Sequence, residues 1–225
     1  EQNRHTNPVK FFNSAGNLIY EKPLQRSNLE YAKRNDTLGK GYYAGDVFIN
    51  EPFNFSKKNR FSLADLHAIL RSVFFPEAVT KKQRFNITDE DRKFIQKYMS
   101  MLPGESKFPS YAPPEYWDEY VKVLLYGTEK NITDPNIRIF NKEGDAYGFL
   151  IDAAYIVDFK NNIEFMLSAV IHCNSDGIYN DDKYDYDSVG YPFMKHLGQI
   201  IYDYELKRER KYKPDLSALH FNYNE

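Results

Sequence analysis

Cysteine and tryptophan are nearly missing from this sequence of 225 residues, which has one residue of each. A single cysteine excludes an internal disulfide. Because Cys173 lies in an apolar, strand-like run, the pattern predicts a buried, unreactive thiol rather than a nucleophile. No apolar run approaches the roughly 18 residues that a membrane-spanning helix needs. The sequence therefore predicts no membrane span.

A surplus of positive charge is also lacking. The chain has 30 Lys and Arg against 32 Asp and Glu, and its pI is near 6.3. Binding to the phosphate backbone of nucleic acids needs a basic surface, so we expect no nucleic-acid partner. The five histidines are scattered without the spacing of metal ligands. His67 and His196 lie in predicted amphipathic helices, which favours a hydrogen-bonded structural role. We predict no metal and no cofactor.

Aromatic residues are abundant instead, at 16% of the chain with 19 tyrosines. This composition favours a tyrosine-rich core and rim, with a sugar-stacking surface as the alternative. The 42% of apolar and 28% of charged residues are typical of a soluble globular protein. The chain begins with Glu1 rather than with methionine, so we expect a processed or truncated product.

The hydrophobic pattern divides the chain near residue 60. Residues 1–60 predict an irregular segment with a β-hairpin, in which Val9–Phe12 and Leu18–Tyr20 flank a turn. Residues 61–225 have the pattern of helices, then strands, then a last helix. This order predicts the α+β class.

Three helices are predicted ahead of the strands. Ser62 and Thr88 are placed as N-caps, each with an aspartate three residues later. Apolar residues at helical spacing predict a third helix that begins at Pro113 and ends at Gly127. A last helix is predicted after Pro192.

A Lys-x-Gly tripeptide, Lys142-Glu143-Gly144, ends the first of three predicted strands. The other two are predicted from Tyr147 to Phe159 and from Ile163 to Cys173. At an exposed sheet edge, the missing side chain of Gly144 lets a ligand approach the backbone, and Lys142 supplies a positive charge. The tripeptide is therefore a candidate ligand-binding edge.

No recognisable motif supplies a complete catalytic site. A Gly-x-Ser-x-Gly elbow and a Ser-x-x-Lys pair are absent, and Ser175-Asp176 is followed by Gly177 rather than by asparagine. The acidic stretch from Asn174 to Asp187 lacks the spacing of an EF-hand loop. A solvated loop is favoured there, with a calcium-dependent module as the alternative.

The order of elements is similar to the second half of the penicillin-binding protein and class A β-lactamase fold. The segment from Asn141 to Gly144, followed by Tyr147-Gly-Phe149, resembles the Lys-Thr-Gly strand of those enzymes. Over the whole chain, the sequence resembles a Bacteroidetes-type group of serine hydrolases related to class A β-lactamases. The segments that carry this second resemblance are Asn54-Phe-Ser-Lys-Lys-Asn59, Asp145-Ala-Tyr-Gly-Phe149, Asn174-Ser-Asp-Gly-Ile178 and Asn180-Asp-Asp-Lys-Tyr184.

The resemblance implies an α+β, β-lactamase/transpeptidase-like fold with an antiparallel sheet flanked by helices, of which this chain would be the C-terminal part. It implies a serine hydrolase that acts through an acyl-enzyme on a β-lactam or a peptidoglycan-type amide. Such an enzyme would be exported to the periplasm or cell envelope. The Ser-x-x-Lys and Ser-Asp-Asn motifs would lie upstream of Glu1, so this chain alone is expected to be inactive.

Four residues take positions in the substrate site that the resemblance implies. Lys142 would stand beside the catalytic serine, aid proton transfer electrostatically and bind the substrate carboxylate. Gly144 would let the substrate lie along the strand, and the backbone N–H of Asp145 would be an oxyanion donor. Glu143 stands where these enzymes usually have a hydroxyl, and its carboxylate would repel that of penicillin unless it faces away. Lys142 is thus predicted as catalytic, and all four as substrate-binding.

A contrasting hypothesis is a non-catalytic binding module of the cell envelope that keeps the fold and recognises glycans through tyrosines. The partner in either case would be a small-molecule or peptidoglycan-type substrate. A truncated domain would also expose apolar surface meant for the missing N-terminal half of the fold. We therefore expect that half, or self-association, as a second kind of partner.

Overall fold

The chain forms a mixed α+β structure with small, mostly antiparallel sheets. The computed structural model describes residues 5–28, 33–111, 113–130 and 134–223. The strands are β1 (His5–Thr6), β2 (Val9–Phe12), β3 (Leu18–Lys22), β4 (Gln25–Arg26), β5 (Thr37–Leu38), β6 (Gly41–Ala44), β7 (Val47–Ile49), β8 (Phe53–Asn54), β9 (Ile137–Ala146), β10 (Phe149–Asp158), β11 (Ile163–His172) and β12 (Ile178–Tyr179). The helices are α1 (Leu63–Phe74), α2 (Asp89–Ser100), α3 (Val123–Tyr126) and α4 (Tyr191–Lys207). Short 3₁₀ turns lie at Pro76–Ala78, Lys81–Gln83, Pro103–Glu105 and Ser217–Leu219, and a π-helical turn lies at Tyr186–Gly190.

Two compact units divide the chain. One runs to Arg60 and also contains Gly177–Tyr179, and the other contains Phe61–Asp176 and the chain from Asn180 onward. Within the described ranges, no helix is both long enough and apolar enough to span a membrane.

The first unit contains the predicted hairpin, which the pairing of β2 with β3 confirms. Asn13 closes its turn, because the side-chain oxygen accepts hydrogen bonds from the backbone of Ala15 and Asn17 at 3.0 and 2.9 Å. Gly16 has a φ of 80°, a conformation that favours glycine.

The acidic stretch that the sequence predicts as a solvated loop is partly ordered as a strand. Within it, β12 pairs in parallel with β6, which pairs in turn with β7. Tyr179 is fully buried and packs edge-on against Phe55, at 5.1 Å between ring centroids. A strand is recognised in a sequence by its alternation of apolar and polar residues. Two residues are too few to show that alternation, so β12 was not predicted.

The second unit is built on the three-stranded antiparallel sheet β11-β10-β9, with β9 at one edge. Tyr147 and Gly148 have positive φ and form the two-residue turn between β9 and β10, so β10 begins at Phe149 rather than at the predicted Tyr147. Asn162, with a φ of 56°, lies in the turn that leads into β11.

Each face of this sheet buries its own apolar cluster. We call one the α1 face: Phe140, Ala153, Tyr155 and Val157 pack there against side chains of α1 and the C-terminal tail. We call the other the α4 face: Ile139, Leu150, Ala154 and Ile156 pack there against Val123–Tyr126 and α4. The alternation of side chains along each strand separates the two sets.

The predicted starts of the first two helices are confirmed. The Ser62 hydroxyl accepts a hydrogen bond from the backbone of Asp65 at 3.0 Å, and Thr88 does the same for Asp91 at 3.1 Å. Around Thr88 the capping box is complete. The last helix is also confirmed, as α4.

The prediction of a third helix from Pro113 to Gly127 is wrong. Only α3 is assigned there, and Leu124 and Leu125 inside it have non-helical backbone angles, with φ of 93° at Leu125. Tertiary contacts override the helical pattern, because the Leu124 N–H donates to the buried carboxylate of Asp152 at 3.0 Å. Residues 122–127, which are all buried, therefore form an irregular strap across the α4 face, whereas most of residues 113–121 are exposed, and the segment is not an amphipathic helix.

Candidate functional site: a strand edge and a buried polar network

The predicted residues Lys142, Glu143, Gly144 and Asp145 all lie in the last half of the edge strand β9. Their side chains alternate between the two faces of the sheet. Lys142 follows Phe140 on the α1 face, where its side chain is 71% exposed. Glu143 follows Asn141 on the opposite face, where its side chain is 23% exposed. The two charged side chains therefore leave the strand in opposite directions.

The backbone of β9 directs the N–H and C=O groups of alternate residues to its outer edge. In an antiparallel strand, the N–H and C=O of one residue point the same way, and successive residues alternate. The Asn136 C=O accepts from Phe159 N–H at 3.1 Å, on the side of β10. The carbonyls of Ile139 and Glu143 accept instead from lysine ammonium groups. Odd-numbered residues of β9 therefore direct their backbone outward.

This alternation assigns the N–H of Asp145 and both backbone groups of Glu143 to the outer edge. Among the described residues, no strand pairs with β9 on that side. Nearer the start of β9, the same edge is occupied by the ammonium group of Lys122, which donates to Ile139 O at 2.9 Å. The open part of the edge is thus confined to the segment around Lys142–Asp145.

The charges at this edge are partly balanced within the site. Lys142 Nζ donates to the backbone carbonyl of Glu143 and lies 3.9 Å from its Oε1. Burial raises the pKa of the Glu143 carboxyl, while Lys142 lowers it, Asp145 raises it and Lys122 lowers it. An exposed pair at this distance contributes at most about 1 kcal/mol. Lys142 can therefore exchange this contact for an anionic ligand.

Asp145 and Gly144 leave room at the edge. The exposed Asp145 carboxylate accepts a hydrogen bond from the Tyr191 hydroxyl at 3.2 Å. Burial, followed by the charge of Asp145, raises the pKa of Tyr191, so this phenol stays protonated as the donor. A Cβ added at Gly144 would contact only Ile151, at 3.8 Å. The glycine is therefore not needed for packing inside the sheet.

His67 forms a hydrogen bond on the same face as Lys142. Its Nδ1 lies 2.8 Å from Ser168 Oγ, which confirms the predicted hydrogen-bonded role. Ser168 pairs across the sheet with Ala153, which pairs with Lys142. Two strand spacings, about 10 Å, therefore separate Ser168 from Lys142.

A buried polar network holds the edge strand from the α4 face. Lys122 Nζ donates to Met99 O at 2.7 Å, and to Ile139 O and Asn141 Oδ1 at 2.9 Å each. Asn141 Nδ2 donates in turn to Asp152 Oδ1 at 2.9 Å. The amide of Asn141 thus joins a buried cation to a buried anion.

Burial shifts the pKa of both charged ends of this network. Desolvation lowers the pKa of Lys122 to about 8, against the opposing effect of Asp152. Desolvation raises the pKa of Asp152 to about 6, against the Leu124 N–H, the Asn141 amide and the charge of Lys122. Both groups remain mainly ionised at neutral pH. Their charges are kept by hydrogen bonds rather than by water.

The roles of Lys122 and Asp152 were not predicted from the sequence. A signal exists for both, because each is a single charged residue inside an apolar run: Lys122 within Val121–Tyr126 and Asp152 within Leu150–Val157. Charged residues are seldom buried unless they are paired. The pattern alone does not say that the two pair through Asn141, since that depends on the strap lying across the sheet.

No metal centre is found in the part of the chain that the structure describes, where no three His, Cys, Asp or Glu side chains come together suitably. Cys173 is buried, and burial raises the pKa of its thiol, in agreement with the predicted unreactive role. Comparisons with protein-family models, with curated proteins and with solved structures return no match.

Proposed function

We propose that this chain supplies the substrate-binding edge strand of a serine hydrolase that acts through an acyl-enzyme, with a β-lactamase/transpeptidase-like fold. The substrate is a β-lactam or a peptidoglycan-type amide, and the serine nucleophile lies upstream of Glu1. The observation that carries the proposal is the open edge of β9, where the Asp145 N–H and the Glu143 backbone stand beside the exposed Lys142.

An amide substrate would lie along this edge as an added strand. Such binding uses backbone hydrogen bonds for affinity, here with the N–H groups of Glu143 and Asp145, and with the Glu143 C=O once Lys142 Nζ turns from it to the substrate. The absent side chain at Gly144 lets the acyl group approach closely. Removing one donor from an oxyanion hole typically costs about 3–4 kcal/mol in transition-state stabilisation, so the Asp145 N–H is the group on which acylation would depend.

Glu143 has a smaller effect on an anionic substrate than its position in the motif predicts. Its side chain leaves the strand on the face opposite to Lys142 and is three-quarters covered. A substrate carboxylate would approach the more exposed Lys142 and replace the contact of its Nζ with Glu143 Oε1, which are 3.9 Å apart. This arrangement supports a substrate with a carboxylate near the scissile amide, as in penicillins and in peptides that end in a free carboxyl.

The proposal is tested on the full-length protein that contains this chain. Incubation with a fluorescent penicillin, and separately with a peptidoglycan-type acyl-peptide ester, should give a covalent adduct that mass spectrometry detects. The Lys142→Ala variant should be acylated about 10- to 100-fold more slowly, because a charge-assisted hydrogen bond is lost. Lys160→Ala, in the exposed turn between β10 and β11, is the matched control and should leave the rate unchanged.

Two results would contradict the proposal. One is the absence of any adduct with both probes on the folded full-length protein. The other is an acylation rate in Lys142→Ala equal to that of the wild type. Stable labelling of residues 1–225 alone would separately refute the position of the nucleophile.

A second candidate function is a non-catalytic glycan-binding module, which an aromatic groove favours. This groove, of about 470 Å³, is lined by Tyr98, Phe108, Tyr111, Tyr116 and Tyr120 among others. Phe108 is 96% exposed, an unusual state for a large apolar side chain. Aromatic rings on such a surface can stack on sugars, so retention on insoluble peptidoglycan, lost in Tyr120→Ala and independent of Lys142, would favour this function.

A further inference from the structure

A second cavity, of about 360 Å³, lies beside the first half of β9. The exposed residues Gly104, Asp118 and Pro135 stand at its mouth. The cavity lining includes β9 residues as far as Ile139. Gly144 lies five residues further along the strand. At about 3.4 Å per residue this separation is roughly 17 Å. The cavity is therefore distinct from the open strand edge.

A carboxylate that no other described residue hydrogen-bonds lines this cavity. Glu119 is 1% exposed, and neither Oε1 nor Oε2 has a hydrogen-bond partner in another residue that the structure describes. The hydroxyl of Tyr126, which lines the same cavity and is 7% exposed, also has none. A buried ionised carboxylate is costly unless it is paired and hydrogen-bonded. Both residues line the same cavity, and a ligand there could supply the hydrogen bonds that these two groups lack among the described residues.

The cations in the cavity wall do not neutralise Glu119. Lys122 gives its three hydrogen bonds to Met99 O, Ile139 O and Asn141 Oδ1. Arg138 forms a two-pronged pair with Glu105, at 2.9 Å from Nη1 to Oε2 and 2.5 Å from Nη2 to Oε1. With both cations committed, the carboxylate of Glu119 remains unbalanced.

The electrostatic setting around Glu119 is negative. Burial raises the pKa of its carboxyl, its own backbone N–H lowers it, and the carboxylates of Asp118 and Glu129 raise it. Of the three acidic side chains in the cavity lining, Glu105 is paired with Arg138, whereas Asp118 at the mouth and Glu119 inside form no ion pair with any residue that the structure describes. An entering cation would thus meet one carboxylate at the mouth and a second one further in.

We propose that this cavity binds the ammonium or guanidinium group of an alkyl-chain ligand, with the Glu119 carboxylate as its counter-ion and the Tyr126 hydroxyl as a second acceptor. The volume is at the small end of the range for ligand pockets, which suits a short amine rather than a large cofactor. Apolar atoms of Leu102 and Ile137 in the wall would contact the alkyl chain. The site is independent of the proposed hydrolase function.

The experiment is calorimetric titration of the full chain with agmatine, with cadaverine and with a blocked Gly-Arg-Gly tripeptide. Pentane-1,5-diol, which has the chain length of cadaverine without its charge, is the neutral control. At least one of the cationic probes should bind, and the diol should not. Binding of agmatine or cadaverine alone would identify a free amine as the ligand, and binding of the tripeptide would identify an arginine side chain.

Glu119→Gln tests the assigned counter-ion while keeping the shape of the side chain. Its affinity for the cationic probe should fall by about tenfold or more, since a charge-assisted hydrogen bond is removed. Glu90→Gln, an exposed carboxylate on α2 outside the cavity lining, is the matched control and should bind as the wild type does. Asp118→Asn, at the exposed mouth, provides a variant with little risk to folding and should weaken binding by a smaller factor.

The location is checked by amide NMR shifts, which should change in residues 102–105, 118–126 and 135–139. Shifts confined to other parts of the chain would overturn the proposal, as would an unchanged affinity in both Glu119→Gln and Asp118→Asn. Failure of every cationic probe to bind the wild type would also overturn it.

Discussion

Lys122 lies in the strap, and its ammonium group links the strap to the edge strand β9. Replacing Lys122 with methionine removes this link. The new side chain has a similar length but no donor, so the acceptors at Met99, Ile139 and Asn141 lose their partner together. Asp152 keeps its hydrogen bonds to Leu124 and Asn141 but loses the nearby positive charge. The variant therefore breaks a buried network at one end.

The expected loss is large. Each unsatisfied buried acceptor costs roughly 1 kcal/mol or more, which gives about 3 kcal/mol for the three. Removal of one member of a buried ionic network typically costs about 3–5 kcal/mol. We therefore expect the free energy of unfolding of Lys122→Met at pH 7 to be lower than that of the wild type by about 3–5 kcal/mol.

The pH dependence gives a second, independent signature. Burial lowers the pKa of Lys122 in the folded chain from 10.5 to about 8. Between these two values the unfolded chain binds the proton more tightly, so the contribution of this lysine to stability rises with pH. From pH 7 to pH 9.5 the rise amounts to about 2 kcal/mol. Lys122→Met should lack it.

Urea unfolding followed by circular dichroism at pH 7 and pH 9.5 measures both effects. Lys93→Met, an exposed lysine on α2, is the matched control and corrects for other groups that titrate in this window. A loss below about 1 kcal/mol at pH 7, together with a pH response equal to that of the control, would refute the buried network as we describe it.

Two glycine substitutions are expected to behave oppositely. A Cβ at Gly198 would lie 2.4 Å from Leu125 N, and we expect Gly198→Ala to lose about 2 kcal/mol, more than the roughly 1 kcal/mol by which alanine favours a helix. Equal or greater stability in urea would contradict the close packing of α4 on the strap. Gly144→Ala meets only Ile151, at 3.8 Å, so its free energy of unfolding should change by less than about 0.5 kcal/mol. A larger loss would show that this glycine is a packing residue rather than a feature of an open edge.

Local chemistry made part of the fold predictable. Ser62 and Thr88 signal helix starts because a cap is formed within three residues of sequence. The turn at Asn13–Gly16 and the alternating pattern of β9 are likewise local. The Lys142-Glu143-Gly144 stretch was predictable as the end of a strand for the same reason. Its place at a sheet edge was an expectation from the family resemblance, and its hydrolase role stays a prediction.

Side chains alternate between the two faces of a strand, so the sequence alone implies that those of Lys142 and Glu143 lie on opposite faces. The structure adds the exposed fraction of each side chain. Which backbone groups of β9 face outward was decided only by pairing with β10. That pairing depends on residues up to 21 positions apart, such as Ile137 and Asp158, which no local pattern links.

The segment from Pro113 to Gly127 shows where the sequence was insufficient. Its apolar spacing predicts a helix. Packing of Val123–Tyr126 against α4, and the hydrogen bond from the Leu124 N–H to the Asp152 carboxylate, impose an irregular strap instead. A helical pattern depends only on which residues are apolar. The free energy of a buried charge depends on its neighbours in the folded chain, which the pattern does not show. The sequence by itself thus determined the β2–β3 hairpin, the three strands of the larger sheet and the two helix caps. Only the tertiary structure decided that Lys122 is linked to Asp152 through Asn141, and that Glu119 has no hydrogen-bond partner among the other residues that the structure describes.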